Sequence, residues 1–234
     1  MRSERRIVPG PVGRIEVSLD WPQIASPVGI AHLAHPHPLF GGSLDNKVVS
    51  TLARAFCSLG WLSVRSNFRG VGATEGVHDG GAGELEDLLH LIEQIPQLAE
   101  VAQAIGPATP LALAGFSFGS FVVAGAALHL QRRAAPARHL VLVGAAAGKW
   151  PMPVVDPQTL VIHGQLDQTI VLADAFAWAL TCEVPVVVIP GADHFFHRRL
   201  PVLKALVTRH LLGAEAASER GLDALAPHTA SGDG

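Results

Sequence analysis

Ser117, Asp167 and His194 are residues whose types and order in the chain could together carry acyl transfer. A serine hydroxyl is a poor nucleophile at neutral pH, so it needs a base within hydrogen-bond reach to take its proton. An imidazole can do that and later return the proton to a leaving group, provided a carboxylate holds it in the right tautomer and stabilises the imidazolium. Ser117 sits in Gly115-Phe116-Ser117-Phe118-Gly119, Asp167 in His163-Gly164-Gln165-Leu166-Asp167, and His194 in Ala192-Asp193-His194-Phe195-Phe196-His197. Asp193, Asp156 and Asp174 compete for the acid's place. Asp193 adjoins the histidine in sequence, which points it elsewhere, and Asp174 reads as an exposed first-turn helix residue.

The serine lies where an apolar strand, Pro110 to Ala114, must turn sharply into a helix through Phe121 to Leu128. Glycines two residues either side fit that corner, because a Cβ at either place would clash as the backbone doubles back. A hydroxyl there faces the positive end of a helix dipole, which favours an alkoxide or an acyl oxyanion. A simpler reading is a Gly/Ser turn that only caps the helix. An oxyanion needs two backbone N–H groups: one from Phe118, directly after the serine, and one from the loop after an earlier strand. In that loop Pro36 and Pro38 have no N–H, which leaves His37, with Leu39 behind it.

The elements that must position these residues alternate along the chain. Gly13 to Asp20 has the period-two pattern of a half-exposed strand. Gly29 to Ala34 is apolar on both sides, as a buried parallel strand is, and breaks at a Pro- and Gly-rich loop over 35–42. A helix follows from about Asp45 to Leu59, then a strand over Trp61 to Phe68 and a long helix from about Gly83 to Val101. Further strands fall at His139 to Gly144, Thr159 to His163 and Val184 to Ile189. Helices fill 172–181 and 198–212. This alternation predicts an α/β fold with a mainly parallel sheet and helices on both faces. Ser117, Asp167 and His194 then all lie past the C-terminal ends of strands, where such folds place their sites. One domain over 1–212 and a disordered tail over 213–234 are expected, the tail being rich in Ala, Ser, Gly and Asp.

Composition narrows the function classes. Hydrophobic residues make up 49% of the chain and the net charge is −3, enough for a sizeable core and without the basic stripe that nucleic acid needs. Arg2, Arg5 and Arg6 read as a solvated N-terminal tail. No apolar run approaches the roughly 20 residues of a membrane span, so a cytoplasmic protein with no membrane partner is expected. Cys57 and Cys182 read as buried free thiols. His35 with His37, and His194 with His197, have ligand-like spacings, but no Cys, His or carboxylate set completes a metal site. The glycines from Gly70 onward follow a strand, yet the third falls late for a dinucleotide fingerprint and no helix opens at once. Asn67 and Arg69 are expected to tie that loop down, and His35 to brace its own.

Five stretches carry a more specific signal: His35-Pro36-His37-Pro38-Leu39-Phe40-Gly41-Gly42, Asp45-Asn46-Lys47, Asn67-Phe68-Arg69-Gly70-Val71-Gly72, Gly115 to Gly119, and His194-Phe195-Phe196-His197. With them the chain resembles the α/β-hydrolase superfamily over roughly 27–212. More narrowly it resembles small lidless bacterial predicted hydrolases, akin to carboxylesterases and dienelactone hydrolases. The resemblance implies Ser117, Asp167 and His194 as a triad, a carboxylesterase-type activity and no cofactor.

Only Ala145 to Gln158 separate two of the strands, too few for an inserted helical lid. An open site is therefore expected, lined by Phe40, Phe118, Trp150, Phe195 and Phe196, with substrate-binding roles for Phe40, Trp150 and Phe195. The expected substrate is a small or accessible carboxylic ester. Thioesters, lactones and short peptides would use the same chemistry, and a non-catalytic binding protein on the same fold is the alternative from another class. The sequence is compatible with a homodimer.

Overall fold

The doubly apolar runs become the buried centre of one eight-stranded sheet in the computed structural model, which describes residues 1–24, 26–106 and 108–220. The strands are β1 (Arg2–Gly10), β2 (Gly13–Trp21), β3 (Gly29–Ala34), β4 (Trp61–Ser66), β5 (Leu111–Phe116), β6 (His139–Val143), β7 (Leu160–Gly164) and β8 (Val186–Ile189). Their spatial order is β1-β2-β4-β3-β5-β6-β7-β8. The pairs β1/β2 and β2/β4 run antiparallel and all others parallel.

Helices cover both faces. They are α1 (Lys47–Ser58), α2 (Ala82–Gln94), α3 (Ala99–Ala102), α4 (Phe118–Arg132), α5 (Leu172–Cys182) and α6 (Leu200–Glu219). Side chains alternate along β5: Ala112, Ala114 and Phe116 pack toward α1 and α6, while Leu113 packs toward α4 on the other face. Near the antiparallel end, Val17, Leu19, Leu62 and Val64 pack with Leu91, Ile95 and Val101. Arg65 of β4 grips Asp20 of β2 with two N–H groups, at 2.6 and 2.9 Å, and donates a third bond to the Leu44 carbonyl at 2.7 Å. That buried fork ties the sheet to the turn before α1, whose first N–H groups are capped by Asn46 Oδ1.

Several boundaries differ from the sequence reading, each for a local reason. Arg2, Arg5 and Arg6 are not a loose tail. They lie in β1, which pairs with β2 along its whole length and puts only Val8 in the core, so it shows no apolar alternation. The long helix expected to reach Val101 ends at Gln94, because Pro96 cannot continue it; a 3-10 turn and the short α3 follow. α4 opens at Phe118, directly after the serine, and runs to Arg132. The last helix passes Leu212 and reaches Glu219, where Glu215 accepts hydrogen bonds from Arg138 at 2.6 and 3.0 Å. Residues 221–234, the rest of the expected tail, lie outside the described residues. Between β6 and β7 the chain forms turns and extended segments without a helix, so no lid domain is present there. Among the described residues no helix is long and apolar enough to cross a membrane.

Candidate active site

Three loops past the C-terminal ends of β5, β7 and β8 converge at one rim of the sheet. The first is the corner between β5 and α4. Ser117 adopts φ 54° and ψ −123°, a left-handed geometry that a non-glycine residue holds only when its surroundings over-determine it. They do so here. A Cβ on Gly115 would run into the Gly119 carbonyl, and one on Gly119 into the carbonyl of Ala34 at the end of β3. Ser117 N–H donates to the Val143 carbonyl of β6 at 2.9 Å. Buried Ser120 fixes the corner further: its hydroxyl donates to the Ser117 carbonyl at 2.5 Å and accepts from the Ala146 N–H at 3.0 Å.

The other two loops are sewn to each other. Leu166 N–H donates to the Ala192 carbonyl at 2.8 Å, and Gly191 N–H to Gln165 Oε1 at 2.9 Å. A Cβ at Gly164 would lie 2.6 Å from the Ala192 carbonyl oxygen, so only glycine allows this approach. Asp167 and His194 are thereby held side by side, with His194 Nδ1 2.7 Å from Asp167 Oδ2. On the ring's far side His194 Nε2 lies 2.9 Å from Ser117 Oγ. All three residues are buried, and Phe116 packs against the imidazole at 4.9 Å.

Burial pushes the Asp167 carboxyl up. Hydrogen bonds from His194 and the Ile170 N–H, with the electrostatic pull of His194 and His163, more than offset that and hold it below the ordinary carboxylate range. Its second oxygen accepts from the N–H groups of Thr169 and Ile170, both at 2.8 Å. The carboxylate is therefore ionised, saturated and fixed. With Nδ1 donating to it, the imidazole leaves Nε2 free to accept from the serine hydroxyl.

The competing acids face elsewhere. Asp193 binds His197, through Nδ1 at 2.7 Å and the backbone N–H at 3.0 Å. Asp156 caps the Gln158 N–H at 2.8 Å, and Asp174 lies on the first turn of α5. His35 is buried and bridges two loops, with Nδ1 2.6 Å from the Pro36 carbonyl and Nε2 2.9 Å from the Phe68 N–H. Asn67 joins Leu44 to Glu16, and Arg69 binds Asp87 and Glu86.

An open cleft of about 660 Å³ lies over the serine, walled by Phe40, Trp150, Ile170 and Phe195 and floored by Phe118 and His37. Phe118 opens α4, where the N–H has no partner in its own helix. His37 precedes a 3-10 turn over Pro38–Phe40, and its Nδ1 accepts from the Leu39 N–H at 3.2 Å. That bond engages the second candidate donor, Leu39, whose side chain points to solvent. Phe196 does not line the cleft. With φ 54° it turns inward and is fully buried against Phe116. Asn46, from the Asp45-Asn46-Lys47 stretch, lines it too, as do Lys149, Gln168 and Ile170, which nothing in their spacing marks as site residues.

Comparison with known proteins agrees with this architecture. A family model described as "Serine aminopeptidase, S33" matches residues 41–171. The chain is similar to XC6422 of Xanthomonas campestris, described as an α/β serine hydrolase without lid. The two are 35% identical over 90% of this chain and 94% of that one, with a TM-score of 0.79. It is similar also to an α/β serine hydrolase homologue from Coxiella burnetii, 35% identical over 90% and 98% of the two chains, TM-score 0.76. An uncharacterized protein of Rickettsia prowazekii is 28% identical over 87% of this chain and 86% of its own length.

Proposed function

The chain belongs to the serine aminopeptidase S33 family of α/β hydrolases, and on that footing we propose that it hydrolyses carboxylic esters through an acyl-enzyme on Ser117. The observation that carries this is the unbroken hydrogen-bonded line from Ser117 Oγ through His194 to Asp167. His194 takes the hydroxyl proton as Oγ attacks the ester carbonyl, and the tetrahedral oxyanion is received by the backbone N–H groups of Phe118 and His37. Collapse breaks the C–O bond to the alcohol, which leaves with the proton from His194. Water, deprotonated by the same imidazole, then attacks the acyl-enzyme and releases the acid and free Ser117.

The cleft supports esters over amino-terminal peptides. An aminopeptidase has to hold the substrate's ammonium group. Among the described residues lining this cleft none is acidic, and the charge at its edge is the cation of Lys149; Asp167 is committed to His194 and to backbone N–H groups. Aromatic walls and an open top suit small or accessible acyl groups, with Phe40, Trp150 and Phe195 in contact with them. A p-nitrophenyl ester series from acetate to palmitate, run beside an aminoacyl p-nitroanilide, tests the reading. Turnover should be highest for short acyl chains and vanish in Ser117→Ala. Preference for long chains, or for the anilide, would contradict it.

A further inference from the structure

The glycine-rich stretch after β4 has no part in the chemistry above, yet it is among the most heavily braced segments of the molecule. Arg69 closes a salt bridge to Asp87 and another to Glu86, each at 2.8 Å, and stands 3.7 Å from Asp79. Asp79 accepts the Gly83 N–H at 2.8 Å. Glu84, fully buried on the first turn of α2, accepts the Gly81 N–H with one oxygen, and its other oxygen lies 2.8 Å from His78 Nδ1. A buried carboxylate that satisfies one backbone group and one imidazole costs too much to desolvate unless both partners stay in place. The His78 ring is therefore held in one position.

What that ring touches gives it a role. Its centroid lies 4.6 Å from the ring of His37, edge-on, and 5.3 Å from the ring of Phe118. The rings of His37 and Phe118 lie 5.1 Å apart. The two residues whose N–H groups would receive the oxyanion thus share two ring partners, Trp150 in the cleft wall and His78, which lies outside the cleft lining. We infer that the Glu84–His78 pair holds the oxyanion donors of Phe118 and His37 in register with Ser117, with His78 as a positioning residue. Donors of this kind act by being fixed before charge develops, so loss of their support lowers transition-state stabilisation while leaving ground-state binding in the aromatic cleft intact.

The inference rests on the ester-hydrolase reading of Ser117, and the experiment separates the two. Wild type, His78→Ala and His78→Gln are compared for kcat and KM on p-nitrophenyl acetate and for inhibition by an aryl trifluoromethyl ketone, which forms an oxyanion on the serine. Thermal unfolding of each is measured alongside. His78→Ala should lose about 10- to 100-fold in kcat with KM changed less than about threefold, since displacing a donor costs less than deleting one. Its ketone Ki should rise by a similar factor. His78→Gln, which can still donate to Glu84, should recover part of both. If His78→Ala does not fold, His78→Gln alone decides: its ketone Ki must rise while KM stays put. Variants with unchanged kcat and Ki, or with losses confined to KM, overturn the positioning role alone. A wild type that turns over no ester overturns both readings.

Discussion

His194 Nε2 lies 2.9 Å from Ser117 Oγ although the two residues are 77 positions apart in the chain. The contact exists because β5, β6, β7 and β8 are successive parallel neighbours, so their C-terminal loops open on one rim. Hydrogen bonds between the β7 and β8 loops then fix the imidazole toward the serine.

Asp167→Asn should leave the fold and KM nearly unchanged and lower kcat by about 10⁴-fold, because an amide can donate to Nδ1 and favours the wrong tautomer. Steady-state kinetics with the p-nitrophenyl acetate assay checks this. Asp193→Asn, removing a carboxylate that binds only His197 and local backbone, should stay within about twofold of wild type.

Stability should fall as pH drops below neutrality. Burial lowers His32 to about 3; burial lowers His35 to about 4, partly countered by its bond to the Pro36 carbonyl. Between those values and the ordinary 6.5 the unfolded chain binds more protons than the folded one. Each group thus removes about 1.4 kcal/mol of stability per pH unit across its window. His32 Nε2 has no hydrogen-bond partner among the described residues, so His32→Leu can fill the same space without a polar group left over. Urea unfolding at pH 7 and pH 5 should show the variant losing about 2 kcal/mol less than wild type over that interval. Equal losses would contradict the burial argument.

Gly213→Ala should stabilise the protein. Gly213 lies inside α6 and a Cβ there meets nothing within 4 Å. Replacing a mid-helix glycine gains roughly 0.8–1 kcal/mol, which for a chain of this size raises Tm by about 2–4 °C. A fall in Tm would mean that the helix stops near Leu212.

The parts of this molecule that sequence exposes are those where chemistry and backbone constraint coincide. Gly115, Ser117 and Gly119 are legible together because the corner forbids a Cβ at both glycines. The buried parallel strands are legible because both faces are apolar. β1 is not, since it is an edge strand with most of its residues toward solvent. Gly213 reads as a helix stop, while the Ala-rich turn beyond it and the grip of Arg138 and His139 on Glu215 carry α6 onward. Phe196 looks like a cleft residue because it sits two places from His194, but its positive φ sends it into the core. His78 and Glu84 leave no mark in the sequence, because what places them is a contact between the β4–α2 loop and the loop after β3.

Labelling with a fluorophosphonate, read by intact mass and peptide mapping, tests the activated serine most directly. Wild type should gain one adduct, on the peptide holding Ser117, and folded Ser117→Ala should gain none. A folded wild type that takes up no adduct, or takes it up on another residue, would contradict the account.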